Sequence, residues 1–216
     1  MPRRALVDHR PWLLAGVIAA VAYYFLQGSI KVEPIEIAIK GLGGGFLAIY
    51  ALRRAPGVDG TILTIALALS ALADMALELW FEAGGALFAV SHVAAIVLYM
   101  RNRRDGASLS QRLLGLALLV MVPAFSYVLS NDPLIGVYAI TLGAMAATAW
   151  TSRFPRYRVG IGALLFVVSD WLIFSRMGPF DLGDLPDLLV WPLYFAGQLM
   201  IATGVVQSLR GETPVR

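Results

Sequence analysis

The sequence contains no cysteine, only two histidines and two lysines, and few charged residues of any kind. Without cysteine, the chain can have no disulfide, no thiolate nucleophile and no cysteine-ligated zinc or iron–sulfur cluster. Charged residues make up 14% of the 216 residues and hydrophobic residues 59%, whereas a soluble domain is about 25% charged. A single core of this size cannot bury so many apolar side chains. The composition therefore excludes a soluble catalytic domain and indicates a membrane protein.

Eight apolar runs are bounded by charges, glycine or proline, and a helix needs about 20 apolar residues to cross a bilayer. They cover residues 11–27, 35–52, 61–80, 84–100, 112–129, 134–151, 159–177 and 188–208. None shows the alternating polarity of membrane β-strands. The first run continues past the small-residue triplet at 20–22 into aromatic residues, so we expect a helix there and not a cleaved signal peptide. The sequence predicts one all-α transmembrane domain, a bundle of eight helices over residues 1–216.

The arginines predict the orientation of this bundle. They lie in the tails and in alternate connections, at Arg3, Arg4, Arg10, Arg53, Arg54, Arg101, Arg103, Arg104, Arg112, Arg153, Arg156, Arg158, Arg210 and Arg216. The opposite connections carry only Lys31 and Arg176. By the positive-inside rule both termini are cytoplasmic, and the net charge of +3 follows from orientation and not from a nucleic-acid partner. The excess of arginine over lysine favours a bacterial source, and so the bacterial cytoplasmic membrane.

A weak internal symmetry relates the third and seventh helices. Residues 62–79 and 160–175 each place an aspartate, Asp74 or Asp170, after a small residue and late in the helix. Two helices that are four apart in an alternating bundle point the same way. The pattern therefore suggests a parallel four-plus-four pseudo-repeat with its axis along the membrane normal.

A small set of polar side chains falls inside the predicted spans. A charged group at the bilayer centre costs about 2.5–3.5 kcal/mol on insertion scales, so each one is a candidate functional residue. The ionisable candidates are Glu36, Lys40, Asp74, Glu78, His92 and Asp170, and their uncharged companions are Tyr138, Ser169, Tyr194 and Gln198. The absence of a His-x-x-x-His or Glu-x-x-His pattern argues against a metal site, and we expect no cofactor.

The rise of 1.5 Å per residue gives the depth of these groups. Asp74, Asp170, Lys40 and Tyr138 fall roughly 3–6 Å to the outer side of the midplane, and two further candidates lie near the midplane. A polar pocket in the outer half of the membrane is the simplest interpretation. The alternatives are that each aspartate and His92 only bond neighbouring helices, and that Lys40 and Glu36 form an interfacial ion pair.

Three segments have a distinctive order and spacing: YAITLGAM from Tyr138 to Met145, GALLFVVSD from Gly162 to Asp170, and YFAGQLMI from Tyr194 to Ile201. In these segments the chain resembles the YhhN-like family of eight-helix membrane proteins, whose characterised animal members are lysoplasmalogenases. Lys40, Asp74 and His92 match further family positions, although Gly41, Ala73 and Ala95 stand where other residues are usual. The resemblance covers about residues 35 to 205.

The resemblance implies hydrolysis of the vinyl ether bond of a lysoplasmalogen, a membrane-borne lysophospholipid, to a fatty aldehyde and glycerophospho-ethanolamine or -choline. Two carboxyl groups suit this reaction, since an acid protonates the vinyl carbon and a base activates water, as in glycoside hydrolysis. On this hypothesis Asp74 and Asp170 are the acid/base pair. The substrate-binding residues are then Lys40, which meets the phosphate, together with His92, Tyr138, Ser169, Tyr194 and Gln198.

Two other functions use the same polar layer. A proton-coupled transporter for a small or lipid-like solute also places carboxylates near the midplane, and it predicts flux across sealed vesicles. A non-catalytic membrane protein could use the layer only to fix the register of its helices. The enzyme alone predicts aldehyde release in detergent.

Overall fold

The computed structural model describes residues 10–27 and 33–211. These residues form eight α-helices and one π-helical turn, Arg156–Gly160, that leads into the seventh. The helices are α1 (Arg10–Leu26), α2 (Glu33–Arg54), α3 (Gly57–Leu79), α4 (Phe81–Arg101), α5 (Leu109–Ser130), α6 (Pro133–Thr151), α7 (Ile161–Ser175) and α8 (Leu185–Leu209). An isolated bridge between Arg103 and Ser152 is the only β-type pairing in the described part of the chain. The predicted all-α fold is confirmed.

Seven of the eight described helices, α2 to α8 with the π-helical turn counted into α7, are long and apolar enough to cross a membrane. The remaining helix, α1, is apolar but has only 17 residues. These seven helices make the protein an integral membrane protein. A crossing by α1, and with it the count of eight transmembrane helices, stays a prediction.

Local sequence signals set several of the helix ends. Ser108 and Gln111 form a capping box at the start of α5, and Asp132 caps α6 by accepting a hydrogen bond from the Leu134 amide at 2.8 Å. Pro133 then occupies the first turn of α6, where its missing N–H is not needed. In the same connection, Asn131 directly follows α5 and adopts the left-handed conformation that terminates this helix.

The connections predicted to be cytoplasmic meet at one end of the bundle. The backbone amide of Arg153 donates to the carbonyl of Asn102 at 2.8 Å, which joins the α6–α7 and α4–α5 connections. Arg101 pairs with Asp59 at 2.8 Å, which joins the end of α4 to the start of α3. We call this the arginine-rich end. Its orientation and the pseudo-repeat stay predictions, and Arg3, Arg4, Lys31 and Arg216 lie outside the described residues.

Small residues bring the helices that carry the aspartates close to their neighbours. An added Cβ at Gly162 of α7 would lie 2.7 Å from the carbonyl oxygen of Gly197 in α8, and one at Gly197 would lie 2.6 Å from the carbonyl oxygen of Gly162. An added Cβ at Gly44 of α2 would likewise lie 3.1 Å from the Cβ of Ala71 in α3. Because these backbones nearly touch, side chains on α7 and α8, and on α2 and α3, share narrow spaces.

Candidate active site

The carboxyl group of Asp74 is held by α8. Asp74 lies on α3 and is 2% exposed, and the hydroxyl of Tyr194 donates a hydrogen bond to its Oδ2 at 2.7 Å. One turn further along α8, the side-chain amide of Gln198 donates to the Tyr194 hydroxyl at 3.4 Å. The spacing of four residues places both α8 side chains on one face. Two of the predicted binding residues therefore act on Asp74 as a short chain of donors.

Asp170 has a matching arrangement with a different helix. It lies on α7, is 6% exposed, and accepts a hydrogen bond at Oδ2 from the hydroxyl of Tyr138 of α6 at 2.8 Å. The preceding residue, Ser169, is 1% exposed and donates its hydroxyl to the carbonyl of Val190 at 3.0 Å. That contact ties α7 to α8 beside the carboxyl. Each buried aspartate therefore has one tyrosine that donates to it.

Both aspartates line one cavity of about 470 Å³, which we call the polar cavity. Tyr194 and Ser169 also line it. The cavity extends to the end of the bundle opposite the arginine-rich end, where Gln27, at the end of α1, contributes to the wall. Five further charged residues lie on its wall, and they carry both signs: Glu36, Lys40, Glu78, Arg176 and Asp187. The two aspartates thus sit at the inner part of a chamber that has an opening lined by charges.

Lys40 is paired across the polar cavity. Its ammonium group forms an ion pair with the carboxylate of Glu78, which also accepts a hydrogen bond from the Tyr23 hydroxyl at 3.4 Å. The Lys40 Nζ lies 5.6 Å from the centre of the Tyr23 ring, a distance that allows a cation–π contact. The structure pairs Lys40 with Glu78, and the pairing with Glu36, which lines the same cavity, stays a prediction. With its side chain 13% exposed, Lys40 is available to an anion inside the cavity.

Sequence reasoning missed several residues of this wall. Tyr23 and Trp191 face the cavity from α1 and α8, and the indole of Trp191 donates to the Ala20 carbonyl at 2.9 Å, which fixes α1 to α8. Arg176 and Asp187 form an ion pair near the opening. The aromatic residues look like ordinary interfacial residues in sequence. Glu78, by contrast, is one of the predicted candidates, and its spacing of four from Asp74 places both on one face of α3.

Aromatic rings close the inner part of the polar cavity. The Phe88 ring packs edge-on against Tyr194 at 5.8 Å and against Phe166 at 5.7 Å between ring centres. The Trp191 ring lies 5.6 Å from the Tyr194 ring in a tilted contact. Edge-to-face contacts of this kind restrict ring orientation. The orientation of Tyr194, which donates a hydrogen bond to Asp74, is therefore set by ring packing as well as by the hydrogen bond from Gln198.

His92 lies on the other side of this aromatic wall. It is 2% exposed and lines a separate cavity of about 20 Å³, together with Gln198, Ser91 and Tyr99. Its Nδ1 lies 3.2 Å from the Thr141 hydroxyl, and among the described residues its Nε2 has no hydrogen-bond partner. The structure therefore divides the predicted polar layer: Lys40, Ser169 and Tyr194 line the polar cavity with both aspartates, whereas His92 and Gln198 line the small one. Tyr138 lines neither.

The geometry provides two buried carboxyl groups of separate helices beside one chamber, which suits acid/base chemistry on a bound ligand. Within residues 10–27 and 33–211, no group of three or more His, Asp or Glu side chains is placed to hold a metal ion.

Two named relatives and one protein family are similar to the chain. It is 28% identical over 218 aligned residues to proteins named lysoplasmalogenase from Mycobacterium bovis and from Mycobacterium tuberculosis, and each alignment covers 89% of this chain and 82% of the relative. No solved structure matches the chain. The YhhN family model matches residues 35–205, which include every candidate residue. The chain therefore belongs to the YhhN family.

Proposed function

We propose that this protein is an intramembrane hydrolase that cleaves the vinyl ether bond of lysoplasmalogen-type lysophospholipids. The products are a fatty aldehyde and glycerophospho-ethanolamine or -choline. The observation that carries the proposal is that Asp74 and Asp170 line one cavity with charges of both signs at its opening. Each of the two carboxyl groups accepts a hydrogen bond from a tyrosine hydroxyl. The two mycobacterial relatives, named lysoplasmalogenases, support the choice of substrate.

The reaction needs one acid and one base. The protonated carboxyl gives its proton to the vinyl carbon farther from the ether oxygen, which leaves an oxocarbenium ion at the nearer carbon. The other aspartate, as a carboxylate, removes a proton from water while the water oxygen bonds to that nearer carbon. The resulting hemiacetal then splits: its hydroxyl loses a proton, the bond to the glycerol oxygen breaks, and that oxygen takes up a proton. Water is consumed, and the aldehyde and the free glycerol hydroxyl are released.

The charges at the opening suit a zwitterionic head group. Lys40 and Arg176 offer positive charge to a phosphate, and Glu36, Glu78 and Asp187 offer negative charge to an ammonium or trimethylammonium group. Both cations already have carboxylate partners, so binding exchanges one ion pair for another inside the cavity. A lysolipid whose head group carries no charged groups would leave those ion pairs unchanged and would bind less tightly.

The remaining predicted residues act at different distances from the reacting bond. Tyr194 and Tyr138 hold the two carboxyl groups, and Ser169 faces the polar cavity, where it meets the glycerol part of the substrate. Gln198 acts through Tyr194. His92, behind the aromatic wall, is a positioning residue that contacts Thr141 and does not touch the substrate.

Aldehyde release by purified protein in detergent tests the proposal. Asp74→Asn and Asp170→Asn should each lower kcat by about a hundredfold or more, the usual size of a lost acid or base. Asp181→Asn is the control, because Asp181 is an exposed carboxylate in the α7–α8 connection, outside the polar cavity. Size-exclusion profiles and melting temperatures establish that the variants are folded.

Two outcomes would contradict the proposal. Full activity in both aspartate variants would remove the acid/base pair, and wild-type protein without any aldehyde release would remove the reaction. A carrier would show lysolipid flux across sealed vesicles and no aldehyde in detergent, where the two sides of a membrane do not exist. A non-catalytic protein would show neither.

A further inference from the structure

A second cavity adjoins the polar cavity on the outer surface of the bundle. It has a volume of about 370 Å³ and lies between α4 and α6, over α7. We call it the apolar groove. Most of its wall is hydrocarbon, from residues such as Phe81, Ala86, Leu134, Ile135, Val137 and Phe174. Leu134 is 72% exposed and Val137 is 62% exposed, so in a membrane the groove is open sideways to lipid.

The groove and the polar cavity share part of their walls. Leu77, Phe88, Asp170 and Ile173 contribute to both. Three of these four residues are apolar, and the fourth is one of the two buried carboxyls. Asp170 therefore stands at the boundary between a chamber lined with charges and a groove lined with hydrocarbon. Tyr138, which bonds Asp170, lines the groove.

The charges of the groove exclude an anionic occupant. Besides Asp170, its carboxyl groups are those of Glu82 and Asp132, at the starts of α4 and α6, and no lysine or arginine of the described chain lines it. A phosphate would meet negative charge there, whereas in the polar cavity it meets Lys40 and Arg176. A hydrocarbon chain is suited to the groove and unsuited to the polar cavity.

We propose that the apolar groove holds the hydrocarbon chain of the lysolipid while the head group occupies the polar cavity. The assignment rests on the proposed function for the identity of the head group and the scissile bond. In this arrangement the vinyl ether, which joins the chain to the glycerol, lies at the shared wall beside Asp170. The substrate enters sideways from the bilayer between α4 and α6, and its chain never crosses water.

Gly85 of α4 offers a way to block the groove. It lines the groove, and an added Cβ there has no atom within 4 Å, so a larger side chain has room without moving the backbone. Gly85→Phe should lower kcat/KM for a long-chain lysoplasmalogen by about tenfold or more, the effect of a misfit in an apolar pocket. Val90→Phe is the matched control, since Val90 is 53% exposed on α4 and lies outside the groove. Gly85→Leu replaces Gly85→Phe if the larger variant does not fold.

A crosslinking measurement tests the groove without relying on activity. The probe is an alkyl ether lysophosphatidylethanolamine, which has no vinyl ether to cleave, with a diazirine in its chain. Mass spectrometry should find its adducts on groove residues such as Leu134 and Val137, and excess unlabelled lysolipid should compete them away. Adducts on Val120 of α5, which is 55% exposed to lipid, should persist as the background. Gly85→Phe should remove the groove adducts, and Val90→Phe should retain them.

The two proposals fail in different ways. Competed adducts in the groove without any aldehyde release would retain the groove and overturn the hydrolase. Aldehyde release with adducts that are spread evenly over lipid-facing residues, or with equal kcat/KM in Gly85→Phe and Val90→Phe, would overturn the groove and retain the hydrolase. Equal labelling of the groove by a diacyl phospholipid probe, without competition by lysolipid, would show an ordinary lipid contact and would also overturn it.

Discussion

At the scale of single residues, the two aspartates differ from ordinary buried polar groups in their partners. Tyr194 donates a hydrogen bond to Asp74 and Tyr138 donates one to Asp170, in each case to Oδ2. In each carboxyl group the tyrosine therefore leaves the other oxygen, Oδ1, unused. A purely structural role would be served by any bond between helices. The shared cavity adds access to a ligand, and that combination favours a chemical role for the pair.

Removing the Tyr194 hydroxyl should affect the chemical step more than binding. A hydrogen bond to a charged group is worth about 1.5–3 kcal/mol, so Tyr194→Phe should lower kcat by about ten- to a hundredfold and leave KM within about twofold. Tyr127→Phe is the control, since Tyr127 is 47% exposed on α5. Steady-state aldehyde kinetics give both constants. Unchanged kcat in Tyr194→Phe would mean that the phenol does not hold a working carboxyl.

Depth along each helix could be predicted from sequence, whereas the direction in which a side chain points could not. The rise per residue places Asp74, Asp170 and Lys40 at similar heights, and the structure brings all three to one cavity. The same reasoning grouped His92 and Gln198 with them, but both line the small cavity: His92 because of the rotation of α4, and Gln198 because it lies one turn beyond Tyr194 along α8. Rotation depends on the packing of all neighbouring helices, which one sequence does not reveal.

At the scale of elements, the contact between α7 and α8 determines the site. Asp170 and Tyr194 lie on these two helices, and the helices approach each other closely at Gly162 and Gly197. An added Cβ at Gly197 would also lie 3.2 Å from the Phe166 amide nitrogen. Both neighbours are backbone atoms that cannot rotate aside. Any larger residue therefore has to separate the helices.

Gly197→Ala should destabilise the protein in proportion to this separation. Overpacking typically costs about 1–3 kcal/mol, so the melting temperature in detergent should fall and kcat should fall with it. Gly45→Ala is the control, because an added Cβ at Gly45 has no atom within 4 Å and alanine is the better helix former by about 0.5–1 kcal/mol. Equal melting temperatures for the two variants would contradict the close packing.

At this scale the number and approximate location of the helices could be predicted from sequence, whereas the residues at which they begin and end could be predicted less well. The apolar runs locate all eight helices, but α3 begins at Gly57 although its apolar run begins only at residue 61. Asp59, in the added first turn, pairs with Arg101 of α4 at 2.8 Å. The π-helical turn at Arg156–Gly160 gave no signal in the sequence. Both features depend on contacts between helices and not on local composition.

At the scale of the whole molecule, the bundle has one arginine-rich end and one end with the opening of the polar cavity. The positive-inside rule predicts that the first end faces the cytoplasm. The head group would then be released on the outer side of the membrane. The fold itself follows from hydropathy, whereas the division into a polar cavity and an apolar groove arises only when helices that are distant in the sequence pack together.

The absence of cysteine makes this orientation simple to measure. Asp105→Cys places one thiol in the α4–α5 connection, and Asp184→Cys places one in the α7–α8 connection. A membrane-impermeant maleimide should label the second variant and not the first in intact spheroplasts, and the reverse in inverted vesicles. The unmodified chain is the background control. Labelling of Asp105→Cys from outside would invert the predicted orientation.

Aldehyde release by the purified protein tests the central claim most directly. Wild-type protein in detergent receives three lysophosphatidylethanolamines that differ only in the chain linkage: vinyl ether, alkyl ether or acyl ester. We predict aldehyde from the vinyl ether substrate alone, with release lost in Asp74→Asn and in Asp170→Asn. No aldehyde from the vinyl ether, or release that is unchanged in both variants, would contradict hydrolysis by the two buried carboxyl groups.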